Sequence, residues 1–132
     1  MEKIILLLSM IFCHLLDDYK IQGILADFKQ ESWWEKNCPG KFYKYDYKIA
    51  LAEHAFSWTF MIHIPIVIFI YLSNITINDY LIILFVVFFI VNWIMHYYID
   101  DAKANLKIIN LVIDQLIHVI QIIFTWLLYI IL

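Results

Sequence analysis

Arginine is absent from these 132 residues, and cysteine, glycine and proline occur only twice each. With no arginine, nine lysines carry all the permanent positive charge of the side chains. No basic stripe with interleaved aromatics can be drawn through them, which excludes a nucleic-acid surface. The cysteines, Cys13 in an apolar run and Cys38 in a polar one, are too few to frame a disulfide scaffold. Charge itself is scarce: 16% of residues are charged and 64% are hydrophobic, against about a quarter and about a half in soluble globular domains. With a mean hydropathy of +0.80, an ordinary soluble domain is excluded. MEKIILLLSMIFC resembles a signal sequence but lacks a small-residue cleavage site, so it reads as a retained first helix.

What is present is a series of apolar runs approaching the roughly 20 residues that cross a hydrocarbon core. The expected spans are 4–19, ending near Asp18; Ile49–Leu72, kinked at Pro65; Asp79 or Tyr80 to Ile99; and Leu106–Leu132. Between the first two, Ile21, Ile24, Leu25 and Phe28 recur at helical spacing among polar residues. This predicts an amphipathic interfacial helix over 20–35, with Trp33 and Trp34 as headgroup anchors. The fold expected is all-α: one multi-pass membrane domain over 1–132, a bundle of four transmembrane helices with an interfacial helix after the first. Lysines 20, 29, 36, 41, 44, 48, 103 and 107 lie in two connections, which makes those connections cytoplasmic and puts both termini outside.

Polar residues inside these spans follow a spacing. His14 and Asp18, His96 and Asp100, and Asp114 and His118 are each four apart, which brings both side chains to one helix face. Five His and eight Asp placed at random would give roughly 0.6 such pairs rather than three. An amide continues each row: Gln22 on the first, Asn92 on the third, Asn110 on the fourth. His54 on the second span lies toward the same leaflet. An aspartate at the centre of a membrane helix costs about 2.5–3.5 kcal/mol on insertion scales, and a divalent cation would offset this. The candidate ligands are His14, Asp18, His54, His96, Asp100, Asp114 and His118, with Gln22, Asn92, Asn110 and Gln115 supporting them. Mixed imidazole and carboxylate donors suit zinc, manganese or iron, and seven candidates leave room for one or two ions.

The motifs HLLDDYKIQ, LAEHAF, HYYIDDAK and DQLIH, in that order, resemble the uncharacterised bacterial and phage membrane proteins grouped as domain of unknown function 3307. The resemblance covers nearly the whole chain. It implies a bacterial cytoplasmic membrane and a role for His14, Asp18, Gln22, His54, His96, Asp100, Lys103, Asp114, Gln115 and His118, without implying an activity.

The function expected from the residues is metal-dependent hydrolysis near the cytoplasmic leaflet, with Asp100, Asp114 and Lys103 as catalytic groups and a membrane lipid or lipid-linked phosphate or ester as substrate. The alternative is an ion- or proton-conducting or holin-like protein whose His and Asp rows are structural or line a pathway. A homo-oligomer is left open.

Overall fold

The computed structural model describes residues 1–131, which form helices and connecting turns with no strand among the described residues. Helix α1 (Glu2–Leu16) runs on into a π-helical turn, Asp17–Ile21. Two short helices follow, α2 (Leu25–Phe28) and α3 (Glu31–Asn37), and a 3-10 turn at Lys41–Tyr43. Three long helices complete the chain: α4 (Asp46–Leu72), α5 (Asp79–Ala104) and α6 (Leu111–Ile131).

α1, α4, α5 and α6 pack as an antiparallel bundle. Lys3 Nζ donates to the Ile130 carbonyl while His14 lies beside His118, which fixes α1 against α6. Ser57 meets Asp17, Trp93 donates to the Ala52 carbonyl, and Gln121 donates to Asn92, so the other neighbours are antiparallel too. The end of α1, the start of α4, the end of α5 and the start of α6 therefore meet at one end of the bundle. Leu6, Met10, Ile62, Ile66, Leu81 and Ile122 fill the interior away from that end.

The bundle is polar inside and apolar outside. Five histidines, three aspartates and Lys29 are buried, while Ile83, Val87, Ile90 and Ile94 on α5 and Val112, Leu116 and Ile120 on α6 are exposed. Water would penalise both features, and lipid removes the penalty on the apolar face. α5, α6 and α4 with the turn before it are long and apolar enough to cross a membrane. α1 alone has 15 residues, below the roughly 20 a span needs.

Several boundaries differ from those expected. α4 begins at Asp46 rather than Ile49, and α5 continues to Ala104 rather than ending at Ile99. The added turn of α5 is held by Asp100 and Lys103, which pair inward instead of entering solvent. α6 starts at Leu111 rather than Leu106, because Lys107 takes a positive φ of 56° and Asn110 caps the helix through Ile113 N. Pro65 lies inside an unbroken α4.

The predicted interfacial helix over 20–35 is also corrected. Gly23 adopts φ +53°, a left-handed conformation that ends one helical stretch, and Gln30 is extended, which separates α2 from α3. Trp33 and Trp34 fold back on Phe28, and Trp34 Nε1 donates to the Phe28 carbonyl at 2.7 Å.

Candidate metal centre

The four main helices and the turn after α1 deliver polar groups to the meeting end. His14 comes from the last turn of α1, with Asp17 and Asp18 from the turn after it. α4 gives His54 and Ser57, α5 His96 and Asp100, and α6 Asp114 and His118. His14, Asp17, His54, His96, Asp100, Asp114 and His118 are all buried. Residues four apart on α5 and α6 reach the site together because an α-helix turns once in 3.6 residues. Asp17 and Asp18 are adjacent, yet both reach His54: the π turn, closed by Gln22 N to the Asp17 carbonyl at 2.9 Å, is wide enough for both to face inward.

Separations between donor atoms are the informative quantity. His54 Nε2 lies 3.5 Å from Asp18 Oδ1, 3.3 Å from Asp100 Oδ2 and 3.3 Å from His96 Nε2. His118 Nε2 lies 3.4 Å from both Asp100 Oδ1 and Asp114 Oδ1, and His96 Nε2 is 3.8 Å from Asp100 Oδ1. N–H···O hydrogen bonds span about 2.7–3.2 Å, so the His54–His96 contact is a long hydrogen bond and the carboxylate contacts lie just beyond the usual range. Tetrahedral ligation at about 2.0–2.1 Å sets neighbouring donors about 3.3 Å apart, and these separations are close to that edge.

Two sets of donors lie within 4.8 Å of one another: Asp18, His54 and His96, and His96, Asp100 and His118. His96 belongs to both. Asp100 joins them as well, with Oδ1 facing His118 and Oδ2 facing His54. Asp114 stands beside the second set, against His118, with Lys103 Nζ on its Oδ2 at 2.5 Å. His14 belongs to neither set, although its Nδ1 lies 3.5 Å from Asp18 Oδ2: Trp58 Nε1 donates to that Nδ1 at 2.7 Å, which occupies the lone pair and leaves the proton on Nε2. The Trp58 ring also stacks on His96 at 4.2 Å.

The supporting amides divide. Gln115 Nε2 donates to Asp18 Oδ2 and Asp114 Oδ2, at 3.1 and 3.2 Å, tying the π turn to α6. Gln22 Oε1 accepts from Lys29 at 2.8 Å. Asn92 instead bonds Gln121 and Thr125, which joins α5 to α6 one turn deeper, and Asn110 serves as the α6 cap. Those two expected supports therefore hold helices rather than ligands. His63 is buried away from the cluster, and its Nδ1 donates to the Thr59 carbonyl.

Four residues that sequence reasoning passed over are part of the site. Asp17 Oδ1 accepts from Ser57 at 2.7 Å while Oδ2 faces His54 Nδ1 at 3.6 Å, leaving His54 Nε2 turned toward the cluster. Lys29, assigned to the polar face of the interfacial helix, is buried and donates to Asp100 Oδ2 at 2.6 Å. Asn105 fixes that lysine's segment: its Oδ1 accepts from Glu31 N at 2.8 Å and its Nδ2 donates to the Lys29 carbonyl at 3.1 Å.

Charge and hydrogen bonding both fit a cation. Asp17, Asp18, Asp100 and Asp114 set four carboxylates against the ammonium groups of Lys29 and Lys103, an excess of two negative charges with the imidazoles neutral. Asp18 Oδ1, Asp114 Oδ1 and both ring nitrogens of His118 are buried with no hydrogen-bond partner among the described residues. Buried carboxylate oxygens without a donor are strongly disfavoured, and divalent cations held by the two donor sets would answer the charge and stand beside these oxygens. No family model matches the chain, and no curated protein or solved structure matches it.

Proposed function

We propose that the chain is a metal-dependent hydrolase embedded in a membrane, acting on a lipid or lipid-linked phosphate or ester. The observation that carries this reading is the set of donor separations of 3.3–3.8 Å around His54, His96 and Asp100, longer than most hydrogen bonds and close to the edge of a coordination shell. The donor set favours zinc, manganese or iron, as one ion or as two sharing Asp100. Fifteen residues of α1 and five of the π turn form one helical stretch, which supports a fourth span. Lysine placement supports a cytoplasmic site with both termini outside, and the motif resemblance supports a bacterial membrane.

A bound divalent ion supplies a Lewis acid and lowers the pKa of water at the site. The chain's own groups do the rest. A carboxylate not engaged by the metal, Asp114 where Asp100 is shared by two ions and either of them otherwise, takes the proton of the attacking water as its oxygen bonds to phosphorus or the acyl carbon. That proton passes to the leaving oxygen as the ester bond breaks. Lys103, 2.5 Å from Asp114 Oδ2 and 4.0 Å from Asp100 Oδ1, offsets the negative charge that develops.

The test is hydrolysis in mixed micelles of phosphatidic acid and detergent, following release of phosphate and of fatty acid after loading with zinc or manganese. Release that stops on chelation and returns on reloading is expected. A metal-loaded, folded protein that cleaves neither bond would overturn the reading.

One observation favours a pathway instead. Asp114, His118, Gln121, Thr125 and Tyr129 form a buried row along all of α6, so the half of the helix away from the site, though uncharged, is not apolar on its inner face. Proton flux into liposomes holding the metal-free protein would favour that second reading.

A further inference from the structure

Beside the metal centre lies a cavity of about 380 Å³, between the 22–30 segment and the junction of α5 with α6. Its volume falls in the range of small-molecule sites, roughly 300–1,000 Å³. Lys29 and Lys103 line it together with the amides of Gln22 and Gln115, and Asp18 forms the wall shared with the metal donors. At its rim stand Tyr19 and Leu111, both exposed on the apolar outside of the bundle.

The two lysines are paired with carboxylates that belong to the metal centre. Lys29 Nζ donates to Asp100 Oδ2 at 2.6 Å and Lys103 Nζ to Asp114 Oδ2 at 2.5 Å. A divalent ion drawing on Asp100 and Asp114 competes with both ammonium groups for the same oxygens. Each ammonium then has a flexible four-carbon stem and a polar cavity to turn into. Two ammonium groups and an adjacent cation converging on one space suit a small anion of two charges with several acceptor oxygens, which describes a phosphate group. A fatty-acyl chain attached to it would leave past Tyr19 and Leu111 into lipid.

We propose that this cavity binds the phosphate group of the substrate between Lys29 and Lys103, and that it does so only when the metal centre is loaded. The proposal rests on the metal-dependent reading above and narrows its substrate class from esters in general to phosphate esters. Coupling of this kind is reciprocal, so phosphate must tighten metal binding by the factor that metal tightens phosphate.

Full-length protein in mild detergent, with and without zinc, is titrated with inorganic phosphate and with phosphatidic acid in mixed micelles, and bound metal is counted by mass spectrometry. Phosphate or phosphatidic acid should bind the zinc-loaded protein, and the metal-free protein should bind at least about tenfold more weakly. Lys103→Gln should lose about tenfold in affinity, the effect of one charge-assisted contact, and keep its zinc. Ala26→Phe, which fills the cavity from its wall without altering a charge, should exclude the ligand and also keep its zinc. Preference for phosphatidic acid assigns the site to a lipid headgroup, and equal binding of free phosphate assigns it to a soluble phosphate; both support the site. Zinc-loaded wild type that binds neither ligand, or an Ala26→Phe variant that binds as wild type does, overturns this proposal and leaves the metal reading standing. Wild type that takes up no metal overturns the reading and this proposal with it.

Discussion

Asp17 and Lys29 show how a single side chain sets the chemistry of this site. Asp17 is held by the Ser57 hydroxyl and stands 3.6 Å from His54 Nδ1, a few tenths of an ångström short of a hydrogen bond, on the opposite ring edge from the Nε2 that faces Asp18, Asp100 and His96. Carboxylates that orient a ligating histidine are worth about 10–100-fold in metal affinity. Metal ligation through Nε2 leaves the His54 proton on Nδ1, toward Asp17, so Asp17→Asn is expected to weaken metal binding by up to that factor, read by competition with a chromogenic chelator, while the helical signal by circular dichroism stays as in wild type. Lys29 acts through charge. Its removal leaves Asp100 buried beside His54 with its nearest cation gone, and breaking a buried pair from one side costs about 3–5 kcal/mol. Metal-free Lys29→Met should unfold at markedly lower temperature in detergent than metal-free wild type. Adding Asp100→Asn should restore part of the loss, because the uncompensated charge is then gone.

At the scale of elements, the helical rows were legible because a four-residue spacing has one meaning on an α-helix. His96 with Asp100, and Asp114 with His118, fall together as that spacing requires, and Asp18 and His54 join them. What escaped the sequence lies where the helical period fails. The π turn turns Asp17 inward with Asp18, and the left-handed Gly23 breaks the interfacial helix so that Lys29 enters the core. Neither departure carries a periodic signal, and Lys29 on an unbroken helix would lie among polar neighbours. Asn110 and Asn92 failed for the opposite reason: they keep the spacing but stop at helix caps and interhelical bonds. This distinction has a measurable form. Asn110→Ala should lose the α6 cap, at about 1 kcal/mol, and retain the metal content of wild type. Loss of metal in that variant would return Asn110 to the site.

Across the whole molecule, the bundle inverts the usual distribution of polarity. Exposed apolar faces suit lipid, and the end where α1, α4, α5 and α6 meet gathers four carboxylates, four imidazoles and two ammonium groups. Antiparallel packing explains the gathering, since it brings the end of one helix beside the start of the next. The lysine bias also legible in the sequence falls at this same end, in the connections flanking α4, α5 and α6. With the imidazoles neutral, as ligation requires, two negative charges are in excess there, and the central claim is that a divalent ion balances them.

The most direct test of that claim is the metal content of wild type and of His96→Ala, purified in mild detergent, offered zinc or manganese and counted by mass spectrometry against protein. His96 is shared by both donor sets, so one substitution should empty the centre. The account predicts one or two equivalents of metal in wild type and none in a folded His96→Ala. Folded wild type that takes up no metal, or His96→Ala that keeps the full complement, would contradict it.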